Sequence, residues 1–298
     1  MVYDSAYQNE QGRSATFQRH LAEVSLIVQK YFSGQKLIEV GCGKGDFMRQ
    51  LQSAGFDIVG VDPTFEGSST AVIKEYFSAD LGLRGDAIVL RHVLEHVQDP
   101  VAFLRGICEA NGGKGKVYIE VPCFDWICAH RAWSDITYEH VNYFRLSDFR
   151  RMFRSVLDAG HIFHGQYIYV VADLATIQLP PPLEYQNVRF PEDFAASISS
   201  YARLLQGRSN FAVWGTASKG VVFSFYMEAA GVAVKLALDI NPAKQGKYLA
   251  ATGIQVQSPE AGLINLQPGD DIIVMNGNYL KEVREITENR FRYLTLNE

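Results

Sequence analysis

The chain is poor in cysteine: four of its 298 residues are cysteines, and no two form a Cys-x-x-Cys pair. That spacing predicts no zinc knuckle, and we expect no bound metal ion. One cysteine lies in a glycine-rich turn and the others lie in apolar surroundings. We therefore expect reduced, buried thiols, as in a cytoplasmic protein. These cysteines are Cys42, Cys108, Cys123 and Cys128.

Long hydrophobic runs and clusters of basic residues are also missing. No apolar segment approaches the length of a membrane span, and the polar start at residues 1–5 does not resemble a signal peptide. The net charge is -5, from 28 basic and 33 acidic residues, without a dense Lys/Arg stretch. We expect neither a membrane nor a nucleic acid as partner, but a small molecule bound by a monomer or homodimer.

A glycine-rich turn is the most informative feature that the sequence does contain. Residues 37–45 read as a short apolar strand that runs into this turn, and a helix follows. A second strand, residues 57–61, ends at Asp62. Glycines allow the backbone to approach a ligand closely, and an acid at this position can hold the hydroxyls of a ribose. The pattern predicts a nucleoside crevice at the carboxyl edge of a parallel sheet.

The glycine spacing indicates which nucleoside derivative is bound. The run is Glu39-x-Gly41-x-Gly43-x-Gly45, and Asp46 stands where a dinucleotide fingerprint has its third glycine. The carboxylates of Glu39 and Asp46 would repel a pyrophosphate, but they suit a ligand that carries a sulfonium and an ammonium group. The turn resembles the first motif of class I methyltransferases that use S-adenosyl-L-methionine (SAM). An NAD-type site or an ordinary strand-to-helix turn remains the alternative.

Strand and helix patterns alternate along the chain, which predicts an α/β fold with a doubly wound, Rossmann-like sheet. The proline-rich segment 178–182 predicts a boundary between a domain of residues 1–180 and a smaller Rossmann-like domain of residues 181–298. Strands are predicted near residues 36–40, 57–61, 86–90, 116–121, 162–173, 210–215, 234–240, 271–275 and 292–296. Helices are predicted near residues 15–32, 46–54, 69–75, 99–110, 194–205, 219–230 and 279–290, with one more after Ser147 as N-cap.

The exit of the strand predicted over residues 86–90 carries six polar residues among positions 91–99. His92 lies at the carboxyl end of that strand, where open α/β sheets bind ligands, and we assign it to the pocket. Arg91 is assigned to the cofactor site. We expect His96 to cap or pack the next helix. Asp80 is expected to accept the adenine amino group, with a solvated turn residue as the alternative.

The strand predicted over residues 116–121 and the loop after it offer candidates for catalysis. Glu120 leaves the sheet at the same edge, and the polar, aromatic segment 134–144 is expected to cover that edge. Methylation of carbon requires prior removal of a proton, which a histidine beside a carboxylate can perform. We predict His140 as the base, with Glu139 or Glu120 as its partner. Alternatively, Glu139 and His140 anchor the loop by hydrogen bonds.

Several motifs together resemble the nucleotide-sugar C-methyltransferases. They are Glu139-His140-x-x-Tyr143-Phe144, the segment 214–220 and the segment 239–249. The resemblance implies a SAM-binding N-terminal domain, a C-terminal Rossmann-like domain and an acceptor held between them. It matches His140 to the presumed base, and we assign Tyr143 to the acceptor site. The family usually opens with a zinc-binding domain built on Cys-x-x-Cys pairs, and it has a tyrosine where this chain has Thr137.

Two residues outside these motifs complete the predicted site. Tyr7 is expected to fold over SAM as a lid, with a frayed terminus as the alternative. Lys219 lies where a strand meets a helix N-terminus, which suits a phosphate; a solvated lysine is the alternative. Lys244 and Lys247 could add charge for the same anion.

The sequence therefore predicts a two-domain SAM-dependent methyltransferase acting on a small polar acceptor, a nucleotide-linked sugar or another phosphorylated compound. Such a reaction belongs to natural-product or polysaccharide biosynthesis. O- or N-methylation of a phosphorylated natural-product or capsule precursor is the alternative. Two other classes stay open: an NAD-dependent oxidoreductase and a catalytically silent SAM-binding protein.

Overall fold

The computed structural model describes residues 12–179, 190–208 and 210–296. The chain divides into two compact units. The first contains residues 19–125 and the described residues from 138 to 179, and the second contains the remaining described residues. The domain boundary predicted at residue 180 lies outside the described part of the chain, and so does Tyr7.

Residues 12–179 form five helices and seven strands, apart from short 3₁₀ turns. They are α1 (Ala15–Phe32), β1 (Lys36–Val40), α2 (Asp46–Ser53), β2 (Asp57–Val61), β3 (Val72–Ile73), β4 (Ala87–Arg91), α3 (Pro100–Ala110), β5 (Lys116–Pro122), α4 (Phe124–Ala129), α5 (Leu146–Met152), β6 (Val156–Ile162) and β7 (Tyr167–Asp173).

Two local predictions in this part were wrong. Residues 69–75 do not form a helix, because Val72 and Ile73 extend the sheet as the short strand β3. Helix α5 has Arg145 rather than Ser147 as its N-cap. The Asp148 carboxylate accepts a hydrogen bond from the Arg145 backbone N–H at 2.8 Å, so the helix begins two residues earlier than predicted.

The seven strands form one sheet in the order β3-β2-β1-β4-β5-β7-β6. Neighbours are parallel except at β7, which runs antiparallel to β5 and β6. Both faces are covered, since the side chains of the central strands β1 and β4 are almost all buried. The predicted doubly wound α/β fold is confirmed. The strand order reverses between β1 and β4, and a crevice is expected outside their carboxyl ends.

The second unit has its own elements. They are α6 (Ala196–Leu205), β8 (Phe211–Trp214), α7 (Ser218–Ala229), β9 (Ala237–Leu238), β10 (Val256–Gln257), α8 (Pro259–Gly262), β11 (Asp271–Val274), α9 (Leu280–Ile286) and β12 (Arg292–Thr295). The strands form a parallel sheet in the order β10-β9-β8-β11-β12. Strand β10 was not predicted, and the strand expected over residues 234–240 shortens to the two residues of β9.

The segment Trp126–Thr137 belongs to the second unit, although the chain on both sides of it belongs to the first. Trp133 explains this assignment. Its ring stacks on Phe223 at a centroid distance of 6.1 Å, and its Nε1 donates a 2.7 Å hydrogen bond to Ser197 Oγ. A buried tryptophan with a satisfied N–H fixes the segment firmly to that core.

Within the described residues, none of the helices combines the length and the apolar character needed to cross a bilayer.

Candidate functional site

The glycine turn after β1 needs glycine for its backbone conformation and, at one position, for space. Gly41, Gly43 and Gly45 all have positive φ angles, of 75°, 54° and 76°. A Cβ on Gly41 would lie 2.5 Å from the Cγ2 atom of Val93, which is far inside contact distance. The turn therefore brings bare backbone to the carboxyl edge of β1 and leads directly into α2.

Asp62, directly after β2, holds this turn in place. Its Oδ2 accepts a hydrogen bond from the Gly43 N–H at 2.7 Å. Its Oδ1 accepts from the N–H and the hydroxyl of Thr64, at 2.8 and 2.7 Å. A carboxylate offers about four lone pairs, so these bonds leave about one for a ligand. Asp62 can therefore fix the turn and still accept one ribose hydroxyl.

Glu39 on β1 is a buried carboxyl group with an unsatisfied oxygen. Glu39 is only 3% exposed, and its Oε2 atom has no hydrogen-bond partner among the described residues. Burial raises its pKa to about 8; Arg91 and the Met48 backbone oppose this shift, and nearby acids add to it. An unsatisfied buried carboxyl is unfavourable, and a cationic ligand would stabilise its charged form. This position fits the ammonium or sulfonium of SAM.

Arg91, at the end of β4, is committed to a protein partner. Its Nε lies 3.0 Å from Oε2 of Glu120, which is fully buried on β5. Glu120 also contacts His20 Nε2 at 2.7 Å and accepts a hydrogen bond from the Tyr118 hydroxyl at 3.1 Å. Burial alone would raise the pKa of Glu120, but Arg91 and the surrounding donors hold it well below its usual range. Glu120 is thus an anion enclosed by donors.

His92 links this anion to a second buried carboxylate. Its Nε2 lies 3.1 Å from Glu120 Oε1, and its Nδ1 lies 3.3 Å from Glu95 Oε1. Burial lowers its pKa, but the hydrogen bonds to both carboxylates outweigh this effect and raise the pKa to about 9. His92 also has a φ of 52°, which is rare for a residue with a side chain and is typical of functional sites. A charged His92 orients the two carboxylates and lacks the lone pair of a base.

The loop that carries Glu139 and His140 is anchored to the 3₁₀ turn Leu94–His96, which follows β4. Nδ1 of His96 lies 2.9 Å from the backbone oxygen of Glu139. Because a carbonyl oxygen only accepts, this nitrogen carries the proton. The backbone N–H groups of Val141 and Asn142 donate to the Glu95 carbonyl oxygen at 2.9 and 3.1 Å. His96 therefore positions the loop, and the N-cap of α3 is Asp99.

His140 lies close to Glu95 and His96. One ligand atom from each of these three residues lies within 4.8 Å of the other two. The Glu139 carboxylate accepts a hydrogen bond from the Tyr138 hydroxyl. Glu95 is 1% exposed, and the neighbouring histidines help to lower its pKa against the effect of burial. Glu95 is a site residue that no sequence pattern had indicated.

Of the two other predicted residues in the first unit, Tyr143 lies beside His140, whereas Asp80 lies in an exposed turn. The half-buried ring of Tyr143 has its centroid 6.0 Å from that of His140, so these two predicted residues do lie together. Asp80 is exposed in the 3₁₀ turn Ala79–Leu81, where its adenine-binding role stays a prediction. His20 on α1 also escaped the sequence analysis, because only the folded chain places it beside Glu120.

Two of the three basic candidates of the second unit, Lys219 and Lys244, have acidic partners. Lys219 lies in the first turn of α7, with its Nζ 2.7 Å from Asp135 Oδ2 and 5.7 Å from the centre of the Trp126 ring. Lys244 lies 3.3 Å from Asp239 Oδ2. An anion at either lysine would compete with a carboxylate that is already there. Lys247 is exposed.

The chain is similar in sequence to known methyltransferases. A family model described as a methyltransferase domain matches residues 12–156. The C-methyltransferase NovU of Streptomyces niveus is 25% identical over 309 aligned positions, which cover 88% of this chain and 72% of NovU. The mitochondrial ubiquinone biosynthesis O-methyltransferase of Homo sapiens is 30% identical over 104 positions, covering 29% of this chain and 28% of that protein.

Solved methyltransferase structures also match part of this chain. A SAM-dependent methyltransferase from Archaeoglobus fulgidus is 17% identical, with a TM-score of 0.43 over 55% of this chain and 96% of that chain. A magnesium protoporphyrin IX methyltransferase from Synechocystis, solved with bound SAH, gives a TM-score of 0.37 at 15% identity, over 53% of this chain and 82% of that chain. The family match, the glycine turn and the unsatisfied Glu39 lead to one conclusion. The chain carries a class I SAM-dependent methyltransferase domain over residues 12–156, and SAM is its cofactor.

Proposed function

We propose that the protein methylates a carbon atom of a small polar acceptor, a sugar or another phosphorylated metabolite, with His140 as general base. The observation that carries the proposal is the position of His140 beside the buried carboxylate of Glu95. The similarity to NovU, which spans both units of this chain, supports the same reaction type.

Three features of the first unit would hold the cofactor. The bare backbone of the glycine turn allows close approach, Asp62 offers an acceptor to a ribose hydroxyl, and Glu39 offers its unsatisfied oxygen to a cationic group. When bound, SAM supplies an electrophilic methyl group attached to a sulfonium. Since that electrophile needs no acid catalyst, the protein's task is to position the acceptor and to remove a proton.

His140 would take a proton from a carbon next to a carbonyl of the acceptor. The acceptor would keep the electron pair of the C–H bond as an enolate, and this carbon would be the nucleophile for the methyl group that SAM would supply from its sulfonium. The negative charge of Glu95 favours the imidazolium that His140 becomes. The proton leaves for water after the methylated product has formed.

The surrounding residues would act by positioning. His92 and Arg91 hold Glu120 and, through it, the edge of β5. The backbone of Glu139 fixes the loop through His96, and Tyr143 offers an aromatic face next to the base. Any role of Lys219 in holding a phosphate would require the displacement of Asp135.

A second candidate is O-methylation. It is favoured by the 104-position similarity to the ubiquinone biosynthesis O-methyltransferase, at a slightly higher identity of 30%. The same His140 would then take the proton of a hydroxyl group. Carbon–proton correlation spectra of the product distinguish the two, because they show whether the transferred methyl is bound to carbon or to oxygen.

The decisive experiment separates proton removal from methyl transfer. The full chain is incubated in D₂O with keto-sugar nucleotides and S-adenosylhomocysteine, and deuterium incorporation next to the carbonyl is followed by NMR. We expect exchange with the unmodified protein, a loss of about 10²–10⁴-fold with His140→Ala, and normal exchange with His161→Gln, an exposed histidine on β6. Exchange that survives His140→Ala would overturn the assignment of the base.

A further inference from the structure

Glu95, His96 and His140 form a group with the composition of a metal site, hereafter the Glu95 cluster. One ligand atom from each lies within 4.8 Å of the other two. All three belong to the first unit, yet they come from two separate segments of the chain, the turn after β4 and the loop before α5. A metal ion at ordinary ligand distances of about 2 Å would lie within reach of all three atoms after small side-chain movements.

The carboxylate of the Glu95 cluster points to a missing ligand. Oε2 of Glu95 is buried and has no hydrogen-bond partner among the described residues, while Oε1 contacts His92 at 3.3 Å. A buried carboxylate oxygen without a partner is energetically unfavourable, and native structures normally satisfy such atoms. A cation bound by Oε2 would remove that penalty.

The histidines show the outer contacts that metal ligands usually have. Nδ1 of His96 donates to the Glu139 carbonyl oxygen at 2.9 Å, which leaves the lone pair of this imidazole on Nε2. Metal-bound histidines typically donate their other ring N–H to a carbonyl or carboxylate, which fixes the ring and its tautomer. The contact of His92 with Oε1 serves Glu95 in the same way.

We propose that the Glu95 cluster binds one first-row divalent transition-metal ion, with Zn²⁺ preferred, and that the bound ion silences His140 as a base. Two imidazoles and one carboxylate suit Zn²⁺ and its neighbours, whereas Mg²⁺ and Ca²⁺ prefer oxygen ligands throughout. Three protein ligands leave a fourth position for water. A ring nitrogen of His140 that binds the ion has no lone pair for a proton, so occupancy and general-base action exclude one another.

Metal binding is tested on the full chain after chelator treatment, without reference to activity. Co²⁺ is added first, because its visible spectrum distinguishes nitrogen and oxygen ligands from thiolates, and Zn²⁺ affinity is then measured against a chromophoric chelator. We expect one ion per chain and a spectrum without thiolate charge-transfer bands. Affinity should fall by about tenfold or more in Glu95→Gln and His96→Gln. It should be unchanged in His161→Gln, and Mg²⁺ should not compete.

Two further measurements keep the outcome clear. Circular dichroism and SAM binding show whether Glu95→Gln and His96→Gln remain folded. If one of them does not fold, the metal affinities of the other and of His140→Gln decide whether the site exists. Thiolate bands, absence of binding, or equal affinity in the folded ligand variants would overturn the site. Zn²⁺ at one equivalent should also stop the deuterium exchange described above. If the ion binds but His140→Ala still exchanges, the metal site stands and the proposed base falls.

Discussion

The backbone N–H of Gly43 donates a 2.7 Å hydrogen bond to Oδ2 of Asp62, so the glycine turn and the end of β2 are one structural unit. Asp62, which was expected to bind the ribose, also stabilises the turn that would contact the rest of the nucleoside. Binding and local stability are therefore coupled at this residue.

Replacement of Asp62 by alanine should weaken both properties. Three hydrogen bonds disappear, and the N–H groups of Gly43 and Thr64 lose their acceptor. We expect a loss of about 1–3 kcal/mol in the free energy of unfolding and at least tenfold weaker SAM binding by calorimetry. Asp57→Ala, at the exposed start of the same strand, is the matched control. SAM affinity equal to that of the unmodified protein would show that Asp62 does not belong to the site.

Glu39 should make stability depend on pH. Its pKa is about 8 in the folded protein against a reference of 4.5. The folded state thus holds a proton that the unfolded state has lost, and stability falls as the pH rises from about 5 through 8. Glu39→Gln removes this effect, so its melting temperature should rise relative to the unmodified protein over that range. A melting-temperature difference that is the same at pH 5 and pH 9 would contradict the assignment.

The same carboxyl should link SAM binding to proton release. At pH 7 Glu39 is mostly neutral, and a cationic ligand beside it favours the ionised form. Binding should therefore release up to one proton, measured by calorimetry in buffers that differ in ionisation enthalpy. Glu39→Gln should bind SAM more weakly and release none. Equal proton release in both proteins would place the ammonium or sulfonium elsewhere.

The sequence predicted the parts of the site that are local in the chain. The strand, turn and helix from Lys36 to Ser53 follow from the apolar pattern and the glycine spacing, and all three are present in the fold. The place of Glu95 in the site was not predicted, because it depends on a loop about 45 residues later in the chain that folds onto it. Strand β3 was not predicted, because a strand of two residues is too short to show any periodicity. The segment Trp126–Thr137 could not be assigned to the second unit, since the stacking of Trp133 on Phe223 is a tertiary contact.

The ion pair of Lys219 and Asp135 allows a test of whether Lys219 stabilises the second unit or binds a phosphate of the acceptor. Asp135 is buried, so loss of Lys219 leaves a carboxylate without its cation. Lys219→Met should lower the free energy of unfolding by about 1–3 kcal/mol, and the double variant with Asp135→Asn should recover part of that loss. Lys281→Met, in an exposed pair, is the control. If Lys219 instead holds the acceptor's phosphate, Lys219→Met should raise KM for phosphorylated acceptors with little loss of stability, and the double variant should not restore it.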